Sequence, residues 1–385
     1  MNEYFIGAVA QHLERGQRLL TRIPTNLPRE FHLLAQTCRR ELSGTLDGLK
    51  FLIEDPQMRL PGYQPERLRA FRRLVNQLRD LEATGIAALE RQNDHDVALN
   101  RLVCSIANEI AYPLVPPAVI SLSQEYFHID LRLNLLSVPL SEGDFLLHLP
   151  DLYHELAHPL VLERYDPRAK PFQLALLDAI ERALEYVRQE QAKENRRRGP
   201  RQLSYYLYQW EKSWWKWAIE FFCDLFAIST VGPAFAWSHL HLFAKYGEDP
   251  YRVPLFAPSS HPADDARMRV MLAALSRLGF QGEARSIGLR WDKLVRLSSA
   301  GAEPEYHRCY PQHLLEGIVQ CGSDRIAGVG CSFASQDRRA PINSILNTAW
   351  QKFWNDPAQY LTWERDAVNR LHQFALMPAS AIQAH

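Results

Sequence analysis

The sequence predicts an α+β protein that is predominantly helical and contains one small sheet. Over long stretches apolar residues recur at three- and four-residue spacing, which is typical of amphipathic helices. After residue 112 the spacing changes to two, which is typical of β-strands. We therefore expect a short β region with helical regions on both sides.

The N-terminal region, residues 1–110, is expected to be helical. One helix is indicated by the apolar series Leu68, Phe71, Leu74, Leu78 and Leu81. Prolines at 24, 28, 56, 61 and 65 should divide the region into several short helices. The strands are expected next, because apolar residues alternate with polar ones at 127, 129, 131, 133 and 135.

A helix carrying His154-Glu155-Leu156-Ala157-His158 should follow the strands. Pro150 suits a first helical position, and Asp151 in the first turn favours the helix dipole. Pro159 lacks an amide proton, so we expect a kink or the helix end directly after His158.

This motif predicts metal chemistry. Positions i and i+4 share one helix face, so His154 and His158 can both reach one ion, at about 2.0–2.1 Å. Glu155 would lie beside the ion and take a proton from a zinc-bound water, as a general base. The expected cofactor is Zn²⁺, although other divalent metals are not excluded.

A third ligand is expected from a later helix. Helices are predicted over residues 171–194 and 204–230, the second ending near Gly232. Glu220 and Asp224 are costly to bury in so apolar a segment, and their i,i+4 spacing places them on one face. Glu220 is the predicted ligand and Asp224 the acceptor for a ligating histidine. If Glu220 does not bind, the alternatives are His239, His241 and His261.

The remaining features of that segment have plainer interpretations. Cys223 is expected to pack in the core. A packing face is also expected for the aromatic run Trp210, Trp214, Trp215, Trp217, Phe221 and Phe222.

Composition excludes several functions. Lys+Arg and Asp+Glu both total 44, so a formal net charge of zero argues against nucleic acid or an anionic membrane as the partner. No apolar run is long enough to span a membrane, and no leader pattern opens the chain. From these two features we expect a cytoplasmic protein. Six scattered cysteines without a Cys-x-x-Cys pair indicate reduced thiols. The basic run at 195–201 is expected to be an exposed loop.

The order of these motifs resembles the gluzincin group of zincin metallopeptidases, in which His-Glu-x-x-His is followed by a helix bearing Glu-x-x-x-Asp. The resemblance implies a zincin-like catalytic core over 111–281, and the apolar periodicity through residues 342–373 predicts a mostly helical C-terminal region, 282–385. The resemblance also implies zinc bound by His154, His158 and Glu220, Glu155 as base, and a peptide or protein substrate.

The segment from Ser260 to Arg267, Ser-His-Pro-x-x-x-x-Arg, is similar to one in the membrane-embedded Ste24-like peptidases. That similarity implies that His261 or Arg267 lies near the cleft and stabilises an oxyanion. A plainer interpretation is that Ser260 or His261 caps a helix.

The sequence therefore predicts a zinc-dependent hydrolase, with peptide bonds as the expected target. Two alternatives stay open. The protein could be a zinc-stabilised helical interaction protein without catalysis, or a metallohydrolase acting on a non-peptide amide.

Overall fold

The computed structural model describes residues 2–123, 126–140, 142, 145–162, 166–196, 202–298, 301–335 and 340–375. They form many helices and one three-stranded sheet, which confirms the predicted fold class. The chain divides into two compact units, one of Met1–Leu102 with Pro117–Leu140, the other of Val103–Pro116 with Ser141–His385. The strands belong to the first unit and the motif helix to the second, so the units cut across the three expected regions.

The helices of the first unit are α1 Asn2–Arg22, α2 His32–Glu54, α3 Gln64–Leu81, α4 Ala87–Arg91 and the start of α5 Asp94–Glu109. The breaks between the main helices fall at prolines, as predicted, but the expectation of short helices is wrong, because α1, α2 and α3 have 21, 23 and 18 residues. A π-helical turn over Glu82–Ile86 joins α3 to α4. Leu42, Leu78 and Leu135 are among the buried apolar side chains of its core, so helices and sheet share one core.

The sheet consists of β1 Ala118–Ile120, β2 His128–Asp130 and β3 Leu135–Ser137, in the order β1-β3-β2. β3 is parallel to β1, with Leu135 opposite Ala118, and antiparallel to β2. The apolar alternation through residues 127–135 is therefore not one continuous strand. Leu131 lies in a turn and is exposed, and Asn134 has a positive φ of 49°.

The second unit surrounds α8 Gln202–Val231. The helices that pack most extensively against α8 are α6 Asp151–Leu162, α7 Lys170–Asn195, α10 Asp264–Arg277 and α13 Gln312–Ile326. The remaining helices are α9 Pro233–Tyr246, α11 Gln281–Ser298, α12 Pro304–Cys309, α14 Pro341–Asn355 and α15 Pro357–Ala375. The predictions for α7, α8 and the C-terminal helices are confirmed. Residues 197–201 of the basic run and residues 376–385 lie outside the described chain.

The helix α6 begins at Asp151 as predicted, but the expectation that it ends after His158 is wrong, because the helix runs on through Pro159 to Leu162. Pro159 cannot donate to the Glu155 carbonyl, yet its fixed φ is compatible with a helix. Leu160 and Val161 are buried, so their packing holds the last turn in place. The Tyr112 hydroxyl also donates to the Leu156 carbonyl, at 2.8 Å.

The aromatic run on α8 does not form a single packing face. Trp215 is 46% exposed, so the packing prediction is wrong for this residue. It is confirmed for the other five aromatic residues, which are all buried: Trp210, Trp214, Trp217, Phe221 and Phe222. Within the described parts of the chain, no helix is both long and apolar enough to cross a membrane.

Candidate metal centre

The two motif histidines lie together on the face of α6 that packs on α8. Their ring centres are 5.1 Å apart, as the i,i+4 spacing requires. The His154 ring stacks on Phe235, and the first turn of α6 is tied to α9 because Ser238 Oγ donates to Asp151 Oδ2, at 2.8 Å. The orientation of α6 is therefore set by its neighbours.

Both predicted carboxylates of α8 reach His154. Glu220 Oε2 lies 3.3 Å from His154 Nε2, and Asp224 Oδ1 lies 2.9 Å from Nδ1. The second contact is close, but its angle at the ring nitrogen is poorer than that of a regular hydrogen bond. One ring nitrogen thus faces the predicted ligand and the other faces its predicted carboxylate partner.

Arg267 forms an ion pair with Asp224. Its Nε and Nη2 donate to the two carboxylate oxygens, at 2.8 and 2.6 Å, and Asp224 is fully buried. Such a two-bonded pair is geometrically specific. These contacts give Arg267 the task of holding Asp224, rather than the oxyanion role that the resemblance implied.

His261 lies on the segment before α10 and is exposed. Its Nε2 is 3.9 Å from Glu220 Oε2, and Ser260 Oγ lies 2.9 Å from its Nδ1. The cap of α10 is Ala263, and no side chain caps this helix, so capping by Ser260 or His261 is not observed. His261 is thus the predicted site residue with the greatest access to solvent.

His154 and Glu220 each stabilise the charged form of the other. Burial opposes protonation of His154, but Asp224 and Glu220 outweigh it and raise its pKa to about 10. Burial would raise the pKa of Glu220, but the contact with His154 lowers it to about 2. The pKa of Asp224 falls well below its usual range, because Arg267 and His154 outweigh its burial.

Burial shifts the pKa values of the other two motif residues, His158 and Glu155, in the direction that favours their neutral forms. Burial, reinforced by the neighbouring charge of His154, lowers the pKa of His158 to about 4. Burial is also the largest influence on Glu155 and raises its pKa to about 7. His158 is therefore neutral at pH 7, as a metal ligand must be, whereas His154 would have to release a proton to bind an ion.

Cys223 is the residue that sequence reasoning placed only in the core. It is fully buried, as expected, but its Sγ and one nitrogen of each motif histidine all lie within 4.8 Å of one another. Among the described residues this is the one group of three whose geometry could hold a metal, and Glu220 is not in it. The sequence feature that could have identified Cys223 is its i,i+3 spacing from Glu220.

The donor set fits zinc. Zinc binds imidazole nitrogen and thiolate sulfur at about 2.0–2.3 Å, so small side-chain rotations could close these three donors around one ion. Burial raises the pKa of the Cys223 thiol well above its ordinary value, so metal binding there would have to release a proton.

Two of the three alternative ligands, His239 and His241, make other contacts. His239 Nε2 is 3.3 Å from the Asp264 carbonyl and its ring packs on Trp291. His241 packs on His148 and Trp350. Neither belongs to the group formed by the motif histidines in the described chain.

No protein-family model, curated protein or solved structure matches this chain. The residues themselves therefore carry the functional argument.

Proposed function

We propose that this chain is a zinc-dependent hydrolase that cleaves peptide bonds. The observation that carries the proposal is the meeting of two helices at one buried point. The helix α6 brings His154 and His158, and α8 brings Glu220 and Cys223 to the same place. Glu155 lies beside these donors without belonging to the group.

Each residue has a defined task in this proposal. His154 and His158 hold the ion, which when bound polarises a carbonyl and makes a water acidic enough to attack at neutral pH. Asp224 fixes the ring of His154, and Arg267 fixes Asp224. Glu155 accepts the proton of the attacking water and returns it to the leaving amine.

The third ligand is proposed to come from α8, with two candidates. Glu220 is supported by its 3.3 Å approach to His154 Nε2, and Cys223 by its place in the three-donor group. Either choice leaves one position for substrate, since a catalytic zinc commonly has three protein ligands. His261, exposed and next to Glu220, is the group that we assign to the developing oxyanion.

Glu155→Gln tests the proposal. The variant should bind zinc as the parent does but hydrolyse casein at least about 100-fold more slowly, because a positioned base contributes roughly that much or more. Zinc is measured by elemental mass spectrometry and hydrolysis by release of labelled peptides. Glu181→Gln, at an exposed position on α7, is the matched control and should retain full activity. If Glu155→Gln hydrolysed casein as fast as the parent does, the proposed mechanism would be wrong.

One observation favours a second function, a structural zinc site. His154, Glu155 and Glu220 are each less than a tenth exposed, and Cys223 has no exposure. A closed site of this kind stabilises a fold without catalysis. Stoichiometric zinc in a chain that cleaves neither casein nor small amide substrates would establish this alternative.

A further inference from the structure

The helix α8 exposes an unusual set of side chains. Over residues 203–231 all its exposed positions are aromatic or basic, and we call them the α8 strip: Tyr205, Tyr208, Lys212, Trp215 and Lys216. The three aromatic residues are 48%, 51% and 46% exposed, whereas the other aromatic residues on α8 are buried, except Tyr206, which is partly buried. Leaving this much aromatic surface in water is unfavourable, which points to a ligand.

The strip leads directly to the metal centre. Lys212, Lys216 and Glu220 follow one another at four-residue steps, so they form one row along the helix. Trp215 and Cys223 belong to a second row of the same kind, joined by Ile219. A ligand lying along the strip would therefore approach Glu220 at its end, with the fully buried Cys223 about one turn further along α8.

The segment before α10 follows α8 in the same direction. The Tyr205 hydroxyl donates to the Phe256 carbonyl at 3.0 Å, and the Ser259 amide donates to Ser213 Oγ at 2.9 Å. His261 then reaches Glu220. Phe256 is 80% exposed beside the strip, so the segment adds a further aromatic side chain at the far end.

We propose that the α8 strip binds an extended peptide segment carrying aromatic and acidic side chains, and guides it to the centre formed by α6 and α8. This inference rests on the proposed peptidase function. Tyr and Trp rings offer large contact areas to aromatic side chains, and the two lysines pair with carboxylates. From Tyr205 to Glu220 the helix rises about 22 Å, the length of six or seven extended residues.

A single-stranded nucleic acid is the other ligand that binds aromatic and basic side chains. The peptide is favoured because the strip has only two cations and the whole chain has a net charge of zero. Binding along a phosphate backbone draws its affinity from many cations. The described part of α8 also has no exposed carboxylate that would repel an acidic peptide.

Equilibrium binding to the full-length Glu155→Gln variant tests the inference, because binding needs no turnover. The probe is a fluorescein-labelled peptide of Glu-Phe-Gly-Ser repeats, followed by anisotropy. It should bind more tightly than the Lys-Phe-Gly-Ser and Glu-Ala-Gly-Ser peptides. Adding Lys212→Glu with Lys216→Glu should weaken binding about tenfold and reverse the charge preference, and Trp215→Ala should also weaken it about tenfold.

The control variant is Lys293→Glu on α11, where an exposed lysine lies between the exposed Leu289 and Leu297. It should bind the probe as well as the parent does. All variants are first checked for parental circular dichroism, which is expected because the changed side chains are exposed. Equal binding by the strip and control variants, no binding of any peptide, or displacement of the probe by oligothymidylate would overturn the inference. Casein hydrolysis by the parent is scored separately, so failure of the strip and failure of the peptidase proposal give different results.

Discussion

Asp224 shows how a buried carboxylate can be stable at the residue scale. It has no exposure, so water offers its charge no compensation. Arg267 donates to both of its oxygens, and His154 Nδ1 lies 2.9 Å from one of them. A carboxylate held in this way cannot move toward an ion or a substrate. Its effect on the centre is to fix the ring of His154.

Removing the Asp224 charge should therefore destabilise the fold. Asp224→Asn leaves the buried guanidinium of Arg267 without its hydrogen-bonded carboxylate, and breaking a buried pair typically costs about 3–5 kcal/mol. Urea unfolding of the metal-free protein measures the change without a contribution from metal binding. Asp292→Asn, at an exposed position, should leave stability unchanged. Adding Arg267→Met to Asp224→Asn should recover part of the loss, and a loss below about 1 kcal/mol would contradict the argument.

The third ligand is also decided at the residue scale. If Cys223 binds the ion, Cys223→Ala should lower zinc affinity by at least about tenfold, whereas Glu220→Gln should change it less. If Glu220 binds, the order reverses. Zinc content after dialysis against a competing chelator measures both variants. Substitution with Co²⁺ adds an independent readout, because a thiolate ligand gives a charge-transfer band that a carboxylate does not.

Sequence reasoning predicted His154, His158, Glu220 and Asp224 because their spacing along two helices is visible in the chain. It could not predict Cys223 in the same way. The spacing of Cys223 from Glu220 leaves open which side of α8 faces α6, and that depends on how the two helices pack. The partner of Arg267 depends likewise on the packing of α10 against α8. The local sequence pattern predicts which side chains could bind a metal, whereas the packing of the helices decides which of them lie close together.

At the scale of elements, the same limit applies to helix ends and strands. Pro159 predicted an end of α6 because its effect on the backbone is local, but burial of Leu160 and Val161 outweighs that effect. The alternation through residues 127–135 was visible, but the turn at Asn134 that separates two strands was not. Long amphipathic helices such as α7 and α8 were predicted well, because their periodicity extends over many turns.

The close approach of α13 to α8 gives a test of packing around the centre. A Cβ added to Gly322 would meet Leu225 Cδ1 at 2.4 Å, so Gly322→Ala must push α13 away from α8 or displace the leucine. We expect a loss of about 1–3 kcal/mol, the usual cost of overpacking. Gly317→Ala on the same helix meets nothing within 4 Å and should gain about 0.5–1 kcal/mol. Thermal or urea unfolding measures both, and similar effects of the two changes would contradict the packing argument.

At the scale of the whole molecule, neither unit is a continuous piece of chain. The first unit is completed by residues 117–140, which supply Ile120, Leu133 and Leu135 to its core. All the residues proposed to hold or support the metal belong to the second unit. Unfolding of such a chain need not be a single two-state transition, so segment-resolved measurements are more informative than one midpoint.

Removing the metal should therefore destabilise only the segments around the proposed site in the second unit. In the proposed function zinc binds only the folded centre, so its removal should withdraw a stabilisation that grows with metal concentration relative to Kd. Hydrogen exchange measured by mass spectrometry should show faster exchange in α6 and α8 after chelation, with α2 and α3 of the first unit unchanged. His154→Ala without chelator should reproduce the faster exchange. The argument would fail if exchange rose equally in both units, because a local centre would not then account for the change, or if α6 and α8 were unaffected, because no metal would be stabilising them.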